Sequence, residues 1–191
     1  MKWLTKLLGL RSRPTGSSYV NHPLVIESPR IGFFNLLDPC AEGIVKEDVA
    51  ALAPMFASAE ERTDQPPNCS VLLLYAHIHR DGSIAGYHAG LRDIIRDAGA
   101  AIAIVAFENL AESYRAASKR TSYGQANLVL TLSRNGDAFA RFYKELFSQM
   151  YAGATMPRAW FNLAPQIPGL KHEGLPGSYC LLEVGHIVFK W

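Results

Sequence analysis

A chain of 191 residues with 49% hydrophobic content is long enough and apolar enough to bury a substantial core, which excludes a disordered or fibrous protein. Its formal net charge of +2 is concentrated at the start: Lys2, Lys6, Arg11 and Arg13 carry +4 in a stretch without an acid, leaving the remainder at −2 and without the basic stripe of a nucleic-acid binder. Cys40, Cys69 and Cys180 are odd in number, widely separated and without a CxxC, which argues against a disulfide framework or structural zinc and for a reducing, cytoplasmic setting.

The opening segment MKWLTKLLGLRSR is not read as a signal peptide, because Lys6 interrupts its apolar stretch and no small-residue cleavage site follows. Trp3, Leu4, Leu7 and Leu8 gather on one side of a helical wheel with the basic residues elsewhere, the pattern of an interfacial amphipathic helix. Two readings stand: a frayed or self-docked tail, or weak contact between Met1–Arg13 and a membrane surface that makes the protein peripheral. PTGSS, Pro14 to Ser18, reads as a linker, so residues 1–18 form an amino-terminal appendage and 19–191 a single domain.

Within that domain apolar runs and helical patterns alternate. Ile31 to Leu37 (IGFFNLL) predicts a strand ending at Asp38-Pro39, and Val49, Leu52, Met55 and Phe56 a helix that Pro54 kinks or ends. Glu60 to Asn68 reads as a polar connection. Val71 to His77 predicts a strand buried on both faces, followed by a helix with Tyr87, Leu91, Ile94 and Ile95 inside and Arg92, Arg96 and Asp97 outside, stopped by Gly99. Ala101 to Phe107 and Leu128 to Leu132 predict two more strands, with helices from Leu110 to Lys119 and from Asp137 to Tyr151. The aromatic and proline-rich run Met156 to Pro168 reads as a long loop whose Trp160 and Phe161 cap the core or, if exposed, meet a partner. Cys180 to Phe189 predicts an edge strand, or a hairpin turning at Gly185-His186. Four strand–helix repeats in series imply an α/β three-layer sandwich: a mainly parallel sheet with helices on both faces.

In such a sheet ligands bind beyond the carboxyl ends of the strands. The residues there are Asp38 and Cys40; His77, His79 and Asp81; Glu108 and Asn109; and Ser133, Arg134 and Asn135. His77, His79 and Asp81 are spaced by two, so a chain that stayed extended would turn all three to one side, where imidazoles and a carboxylate can ligate a divalent metal such as zinc. LLLYAHIHRDG thus resembles half of the metallo-β-lactamase motif HxHxDH, with Gly82 in place of its third histidine. That resemblance implies the alternative function, a metal-dependent hydrolase activating water on the ion.

A second resemblance spans about two thirds of the chain. LLLYAHIH, then AIAIVAFEN, then LVLTLSRNGDAFARFYKELFSQMYAGATMPRAW and a closing SYCLLEVG are similar to the succession of elements in the caspase-like peptidases, the CHAT branch in particular. The resemblance implies a caspase-like order of elements and a histidine-activated cysteine at the end of the strand after the histidine strand. Phe107-Glu108 occupy that place here, and phenylalanine cannot attack a carbonyl. The expectation is therefore a pseudoenzyme that acts through a protein partner and needs no cofactor. His77, His79, Glu108 and Cys40 remain the catalytic candidates, because Cys40 would approach the histidines if its strand were their neighbour.

Overall fold

The computed structural model describes residues 22–134, 136, 138–163 and 177–191. The amphipathic segment Met1–Arg13, the linker Pro14–Ser18, Asn135, Asp137 and the side chain of Cys40 lie outside the described residues.

The central strands form where apolar residues run together. After β1 (Leu24–Glu27) come β2 (Arg30–Asn35), a 3-10 turn carrying Pro39, α1 (Glu42–Leu52), a second 3-10 turn that absorbs Pro54, and β3 (Ser58–Arg62). β4 (Val71–Tyr75), α2 (Leu91–Ala98), β5 (Ile102–Val105), α3 (Ala111–Ala117), β6 (Asn127–Ser133) and α4 (Ala138–Tyr151) follow. α5 (Met156–Leu163), β7 (Gly177–Leu182) and β8 (Ile187–Lys190) complete the order. Six strands make the main sheet in the order β3-β2-β4-β5-β6-β7, parallel except for β7, which runs antiparallel to β6 at the edge.

β4 and β5 are buried throughout, which is why they read as unbroken apolar runs. Alternate residues feed two cores. Phe33, Leu73, Tyr75, Ile104 and Val129 meet α1, α4, α5 and β8, where Phe139, Tyr143 and Phe147 are among the largest fully buried side chains. Phe34, Leu72, Leu74, Val105, Leu128 and Leu130 meet α2 and α3 through Leu91, Ile94, Ile95 and Tyr114. The expected three-layer α/β architecture is thus realised. Gly32 in β2 is dictated by crowding: a Cβ there would lie 2.5 Å from Pro67 and 2.7 Å from the Cys69 sulfur.

Several expectations change. The segment Ser58–Arg62 (SAEER), which begins before the stretch read as a connection and overlaps it, is an edge strand whose solvent-facing charges blunt further pairing. Met156–Leu163 is a helix, since Pro157 sits in its first turn, where a missing N–H costs nothing. Its Trp160 packs edge-on against Phe142 at 5.1 Å, whereas Phe161 is 68% exposed. The carboxyl-terminal run is not a hairpin: the chain turns at Gly185 (φ +85°) and leaves the main sheet, so that β8 pairs in parallel with β1. Arg92, expected outside, is buried, with both guanidinium arms on the Glu183 carboxylate (2.7 and 2.8 Å) and further bonds to the carbonyls of Ser118, Lys119 and Gly124. An arginine whose donors all find acceptors can be buried without an unpaired charge. Among the described residues no helix is long and apolar enough to cross a membrane.

Candidate functional site

The carboxyl ends of β2, β4, β5 and β6 lie side by side because the register pairs Asn35 with Tyr75, Leu74 with Val105, and Val105 with Leu130. The residues that follow these strands therefore converge on one edge of the sheet, and most of them tie neighbouring segments together.

His77 leaves β4 at the surface, and its ring stands edge-on to Phe107 with centroids 4.7 Å apart and planes at 79°. Asn109 fastens the same two strand ends. Its Oδ1 accepts the Ile78 N–H at 2.7 Å, while its Nδ2 donates to the carbonyls of Ala76 and Phe107 at 3.0 and 3.1 Å. The Tyr114 hydroxyl donates its proton to the Thr131 carbonyl at 2.7 Å and lies 3.0 Å from that of Phe107, which carries the linkage on to β6. Glu108 accepts the Arg134 backbone N–H at 2.7 Å. Together His77, Ile78, Glu108, Asn109, Leu110 and Leu132 line a shallow cleft of about 370 Å³. His77 and Glu108 are thus brought to one cleft.

His79 and Asp81 are not aligned with His77 along an extended chain. The backbone doubles back beyond Ala76: Ile78 bridges Ile84, the Ala85 N–H reaches the His77 carbonyl, and the His79 N–H reaches that of Ser83. Asp81 is occupied in the turn, where its Oδ1 accepts both the Ser83 N–H (2.9 Å) and hydroxyl (2.7 Å). These two bonds, the hydroxyl's first, hold its carboxyl below the usual carboxylate range. Gly82 closes the turn at φ +89°, and a Cβ on it would come within 2.7 Å of the Ala117 backbone nitrogen. The third histidine of HxHxDH therefore has no room here. Among the described residues no three His, Cys, Asp or Glu side chains gather as a metal-binding group. β2 and β4 are neighbours, so the loops carrying Cys40 and His77 leave adjacent strand ends.

Sequence reasoning missed the most deeply buried charged group among the described residues. Asp48 of α1 is completely buried and takes both arms of Arg134 at 3.0 Å. It also accepts the Tyr75 hydroxyl at 2.7 Å. Arg134 donates further to the Ala106 carbonyl at 2.6 Å and lies 3.8 Å over the Phe139 ring. Burial first, and then the adjacent Asp48 carboxylate, raise the Tyr75 phenol well above its ordinary value, so it stays protonated and donates. The available signal was the spacing Val45, Asp48, Leu52, which sets a carboxylate on an apolar helix face; the expectation built on Val49 had rotated that face.

Compared with family models, with curated proteins and with solved structures, the chain matches none.

Proposed function

We propose that this chain is a non-catalytic domain of caspase-like, CHAT-type ancestry that acts by binding a protein partner. One observation carries the reading: Phe107 sits against His77, at the end of the neighbouring strand, where the resemblance requires a cysteine. A thiol there would meet the imidazole that activates it; a phenyl ring meets it only by edge-to-face packing. The sheet order supports the same ancestry, with the histidine strand β4 beside β5 and a closing antiparallel β7. Glu108 accepts a backbone N–H and Asn109 bonds to backbone groups of both strand ends, so both brace the edge of the sheet. Leu110, 56% exposed beside the cleft, gives a partner an apolar contact.

The test is labelling with an electrophilic, activity-directed cysteine probe. The expected result is no labelling that depends on histidine; labelling of Cys40 that His77→Ala abolishes would overturn the proposal. The basic segment Met1–Arg13 is proposed to add weak contact with anionic lipid. Flotation with anionic vesicles should be salt-sensitive and vanish when residues 1–13 are deleted, and equal flotation of the truncated chain would refute that part.

A further inference from the structure

On the opposite helix layer from the His77 cleft, α1 and α4 pack against each other but leave a second opening of about 580 Å³ near the end of β6. It exists because the facing positions are small: Ala51 on α1, Ala140 on α4 and Gly136 in the intervening loop line it. Its depth is set by the Asp48–Arg134 ion pair, whose guanidinium is held in place by Asp48, the Ala106 carbonyl and the Phe139 ring.

Among the described lining residues three cations outnumber two carboxylates. Arg141 and Lys144, both exposed, stand three residues apart on α4 and line the same cleft. Neither forms an ion pair among the described residues. Glu145 lies one turn beyond Arg141 and could have neutralised it, but its carboxylate accepts Gln149 Nε2 instead. Among the described lining residues Glu47 and Asp48 are acidic; Asp48 is already matched by Arg134, so Arg141 and Lys144 face one further carboxylate, that of Glu47. Two like charges on one helix face repel each other, and a guanidinium beside an ammonium is an arrangement that a compact dianion relieves. The position agrees with the general site of ligands in open α/β sheets, outside the carboxyl ends of the strands.

From this we infer that the α1–α4 cleft is a binding site for a small phosphorylated molecule, with Arg141 and Lys144 gripping the phosphate and the Ala51, Gly136 and Ala140 surface receiving the rest. Arg134 fixes the shape and charge of the floor. The inference stands apart from the proposal of lost peptidase chemistry, since no residue lining this cleft lines the other.

Titration of the full chain with inorganic pyrophosphate at constant ionic strength, followed by amide chemical shifts and calorimetry, tests the inference. Saturable shifts are expected at Gly136, Ala140 and Arg141, with a Kd on the order of 1 mM or tighter. Arg141→Gln/Lys144→Gln should weaken binding by about tenfold or more while leaving Tm unchanged, since both side chains are exposed. Ala140→Phe, which fills the cleft without altering charge, should abolish it. No saturation at tens of millimolar pyrophosphate, or on the order of millimolar binding that survives both variants, would overturn the inference.

Discussion

Arg134 grips both carboxylate oxygens of Asp48, each at 3.0 Å, and so binds the loop after β6 to the middle of α1 through the interior. The pair is nearly dry, with side chains 10% and 1% exposed, so its energetic weight lies in what happens when one member is lost. Arg134→Ala leaves a buried carboxylate whose remaining side-chain partner among the described residues is the Tyr75 hydroxyl, and should cost about 3–5 kcal/mol. Replacing both, as in Asp48→Leu/Arg134→Met, should cost far less than the two single changes summed. Urea denaturation of the four proteins in this cycle checks it. A loss for Arg134→Ala below about 1 kcal/mol would mean the pair is not buried as described.

The turn after β4 owes its shape to Gly82, held at φ +89° with α3 pressed against its missing side chain. Gly82→Ala should therefore destabilise by about 1–3 kcal/mol through backbone strain, with displacement of α3 added. The metal motif gives a sharper version of the test. If Gly82→His generated a zinc-dependent rise in Tm without loss of stability in the absence of zinc, the steric account would fail. The expected outcome is a destabilised protein that zinc does not restore.

Legibility in the sequence followed the hydrophobic pattern and stopped where pairing partners took over. β4, β5 and α4 could be read because their apolar residues recur with the period of a doubly buried strand or an amphipathic helix. Ser58–Arg62 could not, because an edge strand of charged residues draws its order from the neighbouring Arg30–Phe34 backbone and not from its own side chains. Arg92 and Asp48 were misplaced or missed for one reason. Each is buried by a partner distant in sequence, Glu183 and Arg134, and no local window contains both halves of such a pair. At the candidate site the strand ends that the fold sets side by side could be picked out but not the bonds between them, so the backbone partners of Glu108 and Asn109 were not foreseen.

Burial pushes the Cys69 thiol up to about 12 and the Cys180 thiol to about 11. An unfolded thiol ionises near about 8.5, so the native state holds its proton more tightly. The stability this lends is complete below about 8.5 and is lost as pH rises through the native value, reaching about 2 kcal/mol by pH ~10 for Cys69. Denaturant midpoints should fall more steeply between roughly pH 8 and 10 for the wild type than for Cys69→Ala. Iodoacetamide at about pH 8 should leave both thiols unmodified until the chain unfolds. Rapid native alkylation of Cys69 would contradict its burial.

The contact between His77 and Phe107 offers a direct test of the proposed caspase-like ancestry, because a thiol at position 107 would stand where that proposal needs one. The strand ends are already fixed by Asn109, which bonds to Ala76, Phe107 and Ile78, so replacing the ring at 107 should not let them drift apart. In Phe107→Cys the new thiol would stand near an exposed imidazole. A nearby imidazolium stabilises a thiolate, so its pKa should fall by about 1 or more below the ordinary thiol value of about 8.5. The pH profile of alkylation at residue 107 measures this, with Cys40, Cys69 and Cys180 replaced so that only one thiol is counted. Adding His77→Ala should return the profile to that of an ordinary thiol. An unshifted profile in Phe107→Cys, or a shift that persists without His77, would show that the two strand ends do not hold the geometry of a cysteine–histidine pair and would remove the chief support for a caspase-like origin.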